Sequence, residues 1–303
     1  MEIKTVALIG AGAVGAYFID CLADVLGEDF CVVAEGSRAK RLKEKGLMIN
    51  GHRRSLRVKT PEEARGCDLL LTAVKYSALD AVLPQIQTMV EEHTTVISLL
   101  NGIDSEERIA SVIGSSHLLY AVMKISSVRQ GDAVVYDPER TIGVGFGEKN
   151  GEHTERVRAV EALFDRTPLH YYVPEDTVAE IWSKYEWNVS HNLPQAVLGV
   201  GYQAYRDSEH VAFLRDALMT EVRNLADSYG IRYTSMQVPP QKPGARFSTL
   251  QDLDAKRHTE VDMFLGVLIK KSEEQGLQAP YASAVYHMIK ALEEKNDGMF
   301  DFS

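Results

Sequence analysis

Cysteine is scarce. The 303 residues hold three, Cys21, Cys31 and Cys67, with no C-x-x-C pair among them. An odd number without such a pair excludes a closed disulfide framework and points to a reducing compartment, where these thiols serve as small buried hydrophobes. Long apolar runs are missing too: Val6–Ile9 and Leu69–Leu71 fall far short of the roughly 18 to 20 residues a membrane helix needs. Before Val6 there is no basic segment leading into an apolar stretch with a cleavage site, so no signal peptide is expected. A soluble, cytoplasmic protein without a membrane partner is the expectation. Base is in deficit, with 33 Lys+Arg against 43 Asp+Glu and a net charge of -10. That balance argues against nucleic acid or an anionic membrane as main partner, because the phosphate-neutralising charge is missing, though a local basic patch for one phosphate remains allowed. No H-E-x-x-H, paired Cys/His set or G-x-S-x-G occurs, so metal and serine-hydrolase chemistry have no support and no metal is expected.

What is present is the composition of a globular protein, 45% hydrophobic and 25% charged, long enough for two domains. Up to about residue 173, short β-rich runs alternate with amphipathic stretches. The runs are Val6–Ile9, Cys31–Ala34, Leu69–Leu71, Val96–Leu100 and Leu118–Val122, and the helix candidates are Val14–Leu26, Ser37–Lys45, Ala78–Glu91 and Glu106–Val112. This alternation predicts an α/β, Rossmann-type, doubly wound parallel sheet over residues 1–173. From 174 to 303 strand-like runs nearly vanish, and helices are predicted over Val178–Asn192, His210–Tyr229, Lys256–Gln275 and Tyr281–Lys295. An all-helical second domain follows, with a loop predicted over 238–244, where three prolines and a glycine cluster.

The first strand runs into Gly10-Ala11-Gly12-Ala13-Val14-Gly15, a G-x-G-x-x-G placed where strand turns into helix. Glycines there permit a tight turn, close approach of backbone N–H groups to a pyrophosphate, and tight helix-on-strand packing, so a dinucleotide site is predicted. Glu35 stands twenty positions after Gly15, where a carboxylate takes the ribose 2′-OH of NAD and repels a 2′-phosphate. Ser37 and Arg38 follow at once with Lys40 and Arg41 behind, and a hydroxyl with a guanidinium would instead hold that phosphate. These cations also fit a solvated helix face. Both readings stay open, and with them the choice of cofactor.

Lys75 and Asn101 follow the ends of two predicted strands, where ligands of open α/β sheets bind, although each also suits an ordinary loop. Lys184, Asn188 and Asn192 are spaced i, i+4 and i+8, one stripe of a helix. A cation and two amides there would grip a carbonyl and a carboxylate. A solvent-facing stripe opposite Trp182, Tyr185 and Val189 is the plainer account of the same spacing. Ser248 is a candidate N-cap, and Glu260 lies in a charged turn before the next predicted helix.

Taken together, G-A-G-A-V-G at 10–15, V-K-Y at 74–76, L-N-G at 100–102, W-S-K-Y-E-W-N at 182–188, Asn192, S-T-L-Q-D at 248–252 and R-H-T-E-V-D at 257–262 resemble the ketopantoate reductase (2-dehydropantoate 2-reductase) family over nearly the whole chain. The resemblance implies NADP(H) as cofactor and a small 2-keto acid as substrate. It implies that Lys184 is the catalytic lysine, and that Asn188, Asn192 and Ser248 hold substrate. Asn101 would touch both cofactor and substrate, Lys75 the cofactor, and Glu260 would meet the cofactor as the domains close. Ser127 takes the place of a small residue whose backbone lines the cofactor site. The chain departs from the family in two places. Glu35 stands where NADPH-using members often carry arginine, which keeps NAD(H) open, and Leu193–Tyr202 lacks the family's usual substrate-loop pattern. A reductase of another 2-keto acid or an imine, and a non-catalytic dinucleotide sensor, are the alternatives, and pairing into a homodimer is a further expectation.

Overall fold

The protein, a computed structural model, is described over residues 2–238 and 241–300, so Pro239 and Pro240 of the expected 238–244 loop lie outside the described residues. Its chain divides into two compact units, Met1–Val178 and Ala179–Ser303.

In the first unit β1 (Val6–Ile9), α1 (Ala13–Leu26), β2 (Phe30–Val33) and α2 (Gly36–Lys45) come first. Four short strands follow, β3 (Leu47–Ile49), β4 (His52–Arg54), β5 (Val58–Lys59) and β6 (Leu69–Thr72). Then come α3 (Leu79–Met89), β7 (Thr95–Ser98), α4 (Ser105–Ile113) and β8 (Leu118–Lys124). The unit closes with β9 (Ser127–Gln130), β10 (Ala133–Tyr136), β11 (Gly143–Gly147), α5 (Glu155–Phe164) and β12 (Tyr171–Tyr172).

Eight strands form one sheet in the order β12-β11-β8-β7-β6-β1-β2-β5. Every residue of β1, β2, β6 and β7 is buried, as expected of parallel strands covered on both faces. Side chains alternate: Val6, Leu8, Phe30, Val32, Leu69 and Leu71 join one core cluster, while Ala7, Ile9, Cys31, Val33 and Leu70 join the other. Cys21, Cys31 and Cys67 are free and buried. Two strands depart from a parallel sheet: β11 runs antiparallel to β8, with Gly143 opposite Lys124, and β12 pairs parallel with β11. The chain returns there through the β9–β10 hairpin rather than a crossover helix, and a hairpin return reverses strand direction. A second sheet, in the order β4-β3-β10-β9, packs against α1.

The second unit has no strand among its described residues. Its helices are α6 (Thr177–Trp187, which begins in the first unit), α7 (Leu193–Leu198), α8 (Ala204–Asp207), α9 (Glu209–Ser228), α10 (Ser248–Asp254), α11 (Val267–Glu274) and α12 (Pro280–Asn296). Two π-helical turns, Asn188–Asn192 and Asp262–Gly266, join α6 to α7 and lead into α11. Two predicted helices are corrected. The helix expected to stop at Asn192 continues to Leu198, with Pro194 inside it and a left-handed Gly199 ending it. The helix expected from Lys256 begins only at Asp262. Lys256 has φ +51°, and Thr259 is fixed outside the helix by two 2.7 Å bonds, from its N–H and its hydroxyl to Glu293 Oε1.

Candidate active site

The strand–helix turn separates its three glycines by task. Gly10 has φ +104°, and a Cβ there would stand 2.4 Å from the Ala73 carbonyl oxygen. A Cβ on Gly15 would stand 1.9 Å from the Gly10 carbonyl oxygen, so that glycine is demanded by packing of α1 on β1. Gly12 differs: its Cβ would meet nothing nearer than the Ala73 oxygen at 4.0 Å. It is the N-cap residue of α1 with no side-chain cap, so the first N–H groups of the helix are left without one on a side open to a ligand. Open space at the middle glycine beside an uncapped helix start is what a pyrophosphate requires, and these residues fit one. Ala11 is buried there, and Ala13 and Val14 are half-buried.

β7, β6, β1 and β2 are neighbours and parallel, so the segments after them share the carboxyl edge of the sheet. Asn101, Lys75, the Gly10–Gly15 turn and Glu35 lie along that edge in this order. Lys75 is exposed before a short 3-10 turn, and Asn101 is half-buried before Gly102, whose φ is +94°. Glu35 is exposed at the N-cap of α2, and its carboxylate accepts a 2.7 Å bond from Gln85 Nε2 on α3. Ser37 and Arg38 are exposed in the first turn of α2. Ser127, half-buried, opens β9 opposite Tyr136.

Sequence reasoning missed two features of this edge. On either side of Asn101 in the chain, the Ser98 and Ser105 hydroxyls lie 2.8 Å apart, and Ser105 donates at 2.8 Å to Glu106, a carboxyl 4% exposed. Burial pushes the Glu106 pKa up to about 7, against the lowering effect of the Ser105 bond. Arg129 of β9 was also missed, in a strand too polar to stand out.

In the second unit, Lys184 is half-buried near the end of α6, and Asn188 and Asn192 bracket the π turn. Pro194 lacks an N–H for the Ser190 carbonyl, and its ring crowds that carbonyl in an ordinary turn. A wider turn relieves the clash, and the Ser190 hydroxyl donates at 2.7 Å to the Glu186 carbonyl left behind. The wider turn also rotates Asn192 back against the drift of an i, i+4 spacing. Asn192 Nδ2 donates to Asn188 Oδ1 at 3.3 Å, so the two amides share one face. Glu186, 1% exposed, anchors this helix by accepting from Arg223 Nε at 2.7 Å, Tyr233 Oη at 2.9 Å and Ser235 Oγ at 2.6 Å. His191 stacks on Trp187 with ring centres 3.7 Å apart, and burial lowers its pKa to about 4, which leaves a neutral ring.

Ser248 is exposed as the first residue of α10, and its expected capping role is corrected: the N-cap is Phe247, without a side-chain cap. Gln195, fully buried, accepts from the Phe247 N–H at 2.6 Å and donates to the Ala245 carbonyl at 2.9 Å. Phe247 is extended, so helical geometry starts at Ser248, one residue earlier than a Ser248 cap would have it. Glu260 is half-buried just before the second π turn, and its carbonyl accepts from the Met263 and Phe264 N–H groups. No group of three or more His, Cys, Asp or Glu suited to a metal occurs among the described residues.

The model of "Ketopantoate reductase PanE/ApbA" matches residues 6–146, and that of its C-terminal region matches residues 176–293. This chain belongs to the ketopantoate reductase family. A 2-dehydropantoate 2-reductase of Pyrococcus horikoshii is 27% identical, over 96% of this chain and 98% of its own. A ketopantoate reductase structure from Ralstonia eutropha superposes with a TM-score of 0.80 at 20% identity, covering 97% of this chain and 99% of the other. The structure of D-mandelate dehydrogenase with NADH and anilino(oxo)acetate reaches a TM-score of 0.81 at 20% identity, with 97% and 99% covered. At this identity the two structures establish the shared fold: an α/β unit followed by a helical one.

Proposed function

We propose that this oxidoreductase of the ketopantoate reductase family reduces a small 2-keto acid to its 2-hydroxy acid with NADPH, and that ketopantoate, giving pantoate, is its substrate. The observation that supports the reading is the Asn192–Asn188 bond across the π turn, which brings the two amides together one helical turn after Lys184. A reduced nicotinamide, when bound, supplies the hydride. Lys184 as an ammonium polarises the keto oxygen and delivers a proton to it, so C=O becomes CH–OH with one hydride and one proton consumed. The Asn188 and Asn192 amides and the Ser248 hydroxyl orient the acid through its carboxylate and hydroxyl. Gly10, Ala11, Gly12, Ala13, Val14 and Gly15 hold the pyrophosphate, Lys75, Ser127 and Glu260 contact the cofactor, and Asn101 serves cofactor and substrate alike.

A reductase of another 2-keto acid is the second reading, favoured by the Leu193–Tyr202 segment and its Gln195 anchor. Lys184→Ala separates a reductase from a dinucleotide sensor. Loss of one general acid should lower turnover by about 10²–10⁴-fold while dinucleotide affinity, read by calorimetry, stays within about twofold. Near-normal turnover in the variant would remove Lys184 from the chemistry.

A further inference from the structure

The glycine turn suits a pyrophosphate, yet a set of cations beside it has no part in that contact. A cavity of about 160 Å³ in the first unit is lined by Ala11 of the turn, Arg38, Arg41 and Lys45 of α2, Arg53 of β4 and Arg129 of β9. Asp132, exposed, is the one acid on its wall among the described residues. The volume lies below the roughly 300 Å³ at which sites for whole small molecules begin, but it admits a phosphate. Ala11 makes the cavity continuous with the dinucleotide turn.

The arginines are not engaged elsewhere in a way that cancels their charge. Arg38 and Arg41 make no ion pair with any described residue. Arg129 donates Nε to the Gly131 carbonyl at 2.9 Å, and Arg53 donates to the Lys45 carbonyl, so both keep full charge. Burial, with Arg41 and Arg129 near by, pulls the Arg38 pKa below the ordinary arginine value although its side chain retains exposed surface. Like charges converge here, and an anion would relieve them. Glu35, whose carboxylate opposes a 2′-phosphate, is meanwhile held by Gln85 of α3.

We propose that Arg38, Arg41 and Arg129 form the seat of the cofactor's adenosine 2′-phosphate, and that Arg129, from the small sheet, decides the selection of NADPH over NADH. The proposal rests on the dinucleotide reading of the glycine turn. A phosphate monoester carries close to two negative charges and three acceptor oxygens, which guanidinium forks match in charge and geometry. β10 pairs with β3 just beyond α2, and α1 packs on β9, so the small sheet delivers Arg129 to this cavity from far along the chain.

Calorimetric titration of the full chain with NADP+ and with NAD+ tests this without any substrate. The wild type should bind NADP+ at least about tenfold more tightly, and Arg129→Ala should cut that ratio about tenfold with NAD+ affinity unchanged. Arg41→Ala, which leaves the β9–β10 turn intact, should do the same and guards against misfolding of the first variant. Equal wild-type affinities would overturn the proposal while leaving the dinucleotide reading standing. Selectivity retained in both variants would place the phosphate on other residues. Failure of both nucleotides to bind would remove the phosphate seat together with the dinucleotide site.

Discussion

Gly12→Ala and Gly15→Ala should part company. An added methyl at Gly12 points into open space, so the variant should keep its stability within about 1 kcal/mol yet lose more than about tenfold in dinucleotide affinity. At Gly15 the methyl must displace the Gly10 carbonyl, and destabilisation by about 1–3 kcal/mol or more is expected in chemical unfolding. Equal stability of the two variants would contradict the division of tasks within the turn. Glu106 carries a second test. The folded state holds its proton up to about pH 7, whereas the unfolded chain releases it near 4.5. Its contribution is therefore most favourable below about pH 4.5, declines as pH rises towards 7, and costs at most about 3 kcal/mol above that. Glu106→Gln should flatten this slope, as unfolding midpoints near pH 5 and pH 8 would show. The glycine turn was legible in the sequence because backbone sterics leave no other residue for Gly10 and Gly15. Glu106 was not, because an acid beside Asp104 and Glu107 at a helix start reads as a solvated dipole partner until the sheet above it is seen.

Elements follow the same rule, in that what was readable obeyed one period. The continuous apolar runs of β1, β2, β6, β7 and β8 announced a parallel sheet. The small sheet did not announce itself, since β3 and β4 are three residues each and β4 reads His-Arg-Arg. Arg129 was invisible for that reason. The π turn was also hidden, because Lys184, Asn188 and Asn192 satisfy an α spacing and only the missing N–H of Pro194 hints at widening. The Lys256–Gln275 helix was drawn too long because its charged start resembles a helical face, whereas Glu293 and a left-handed Lys256 hold it apart. Gln195→Ala strands the Phe247 N–H and the Ala245 carbonyl, so the second unit should lose about 1–3 kcal/mol. The KM for the 2-keto acid should rise with the loosening of Ser248, while NADP+ affinity, read separately, holds.

At the scale of the whole molecule, charge is distributed against its mean. A chain of net charge -10 concentrates five cations around one small cavity, a local clustering that the sequence total does not reveal. No described helix is long and apolar enough to cross a membrane. The two-part organisation was legible in the switch from alternating strands to helices near residue 174, and family membership spans both parts. The substrate was less legible, since family motifs fix the polar stripe while the Leu193–Tyr202 segment that differs is anchored by contacts far along the chain. The central claim is reduction of a 2-keto acid, and the most direct measurement follows the absorbance of the reduced nicotinamide with purified protein and ketopantoate, NADPH and NADH in parallel. Rapid oxidation of NADPH, slower oxidation of NADH, and pantoate formed in equal amount are expected. Cofactor binding without turnover of ketopantoate or any other 2-keto acid would contradict the claim.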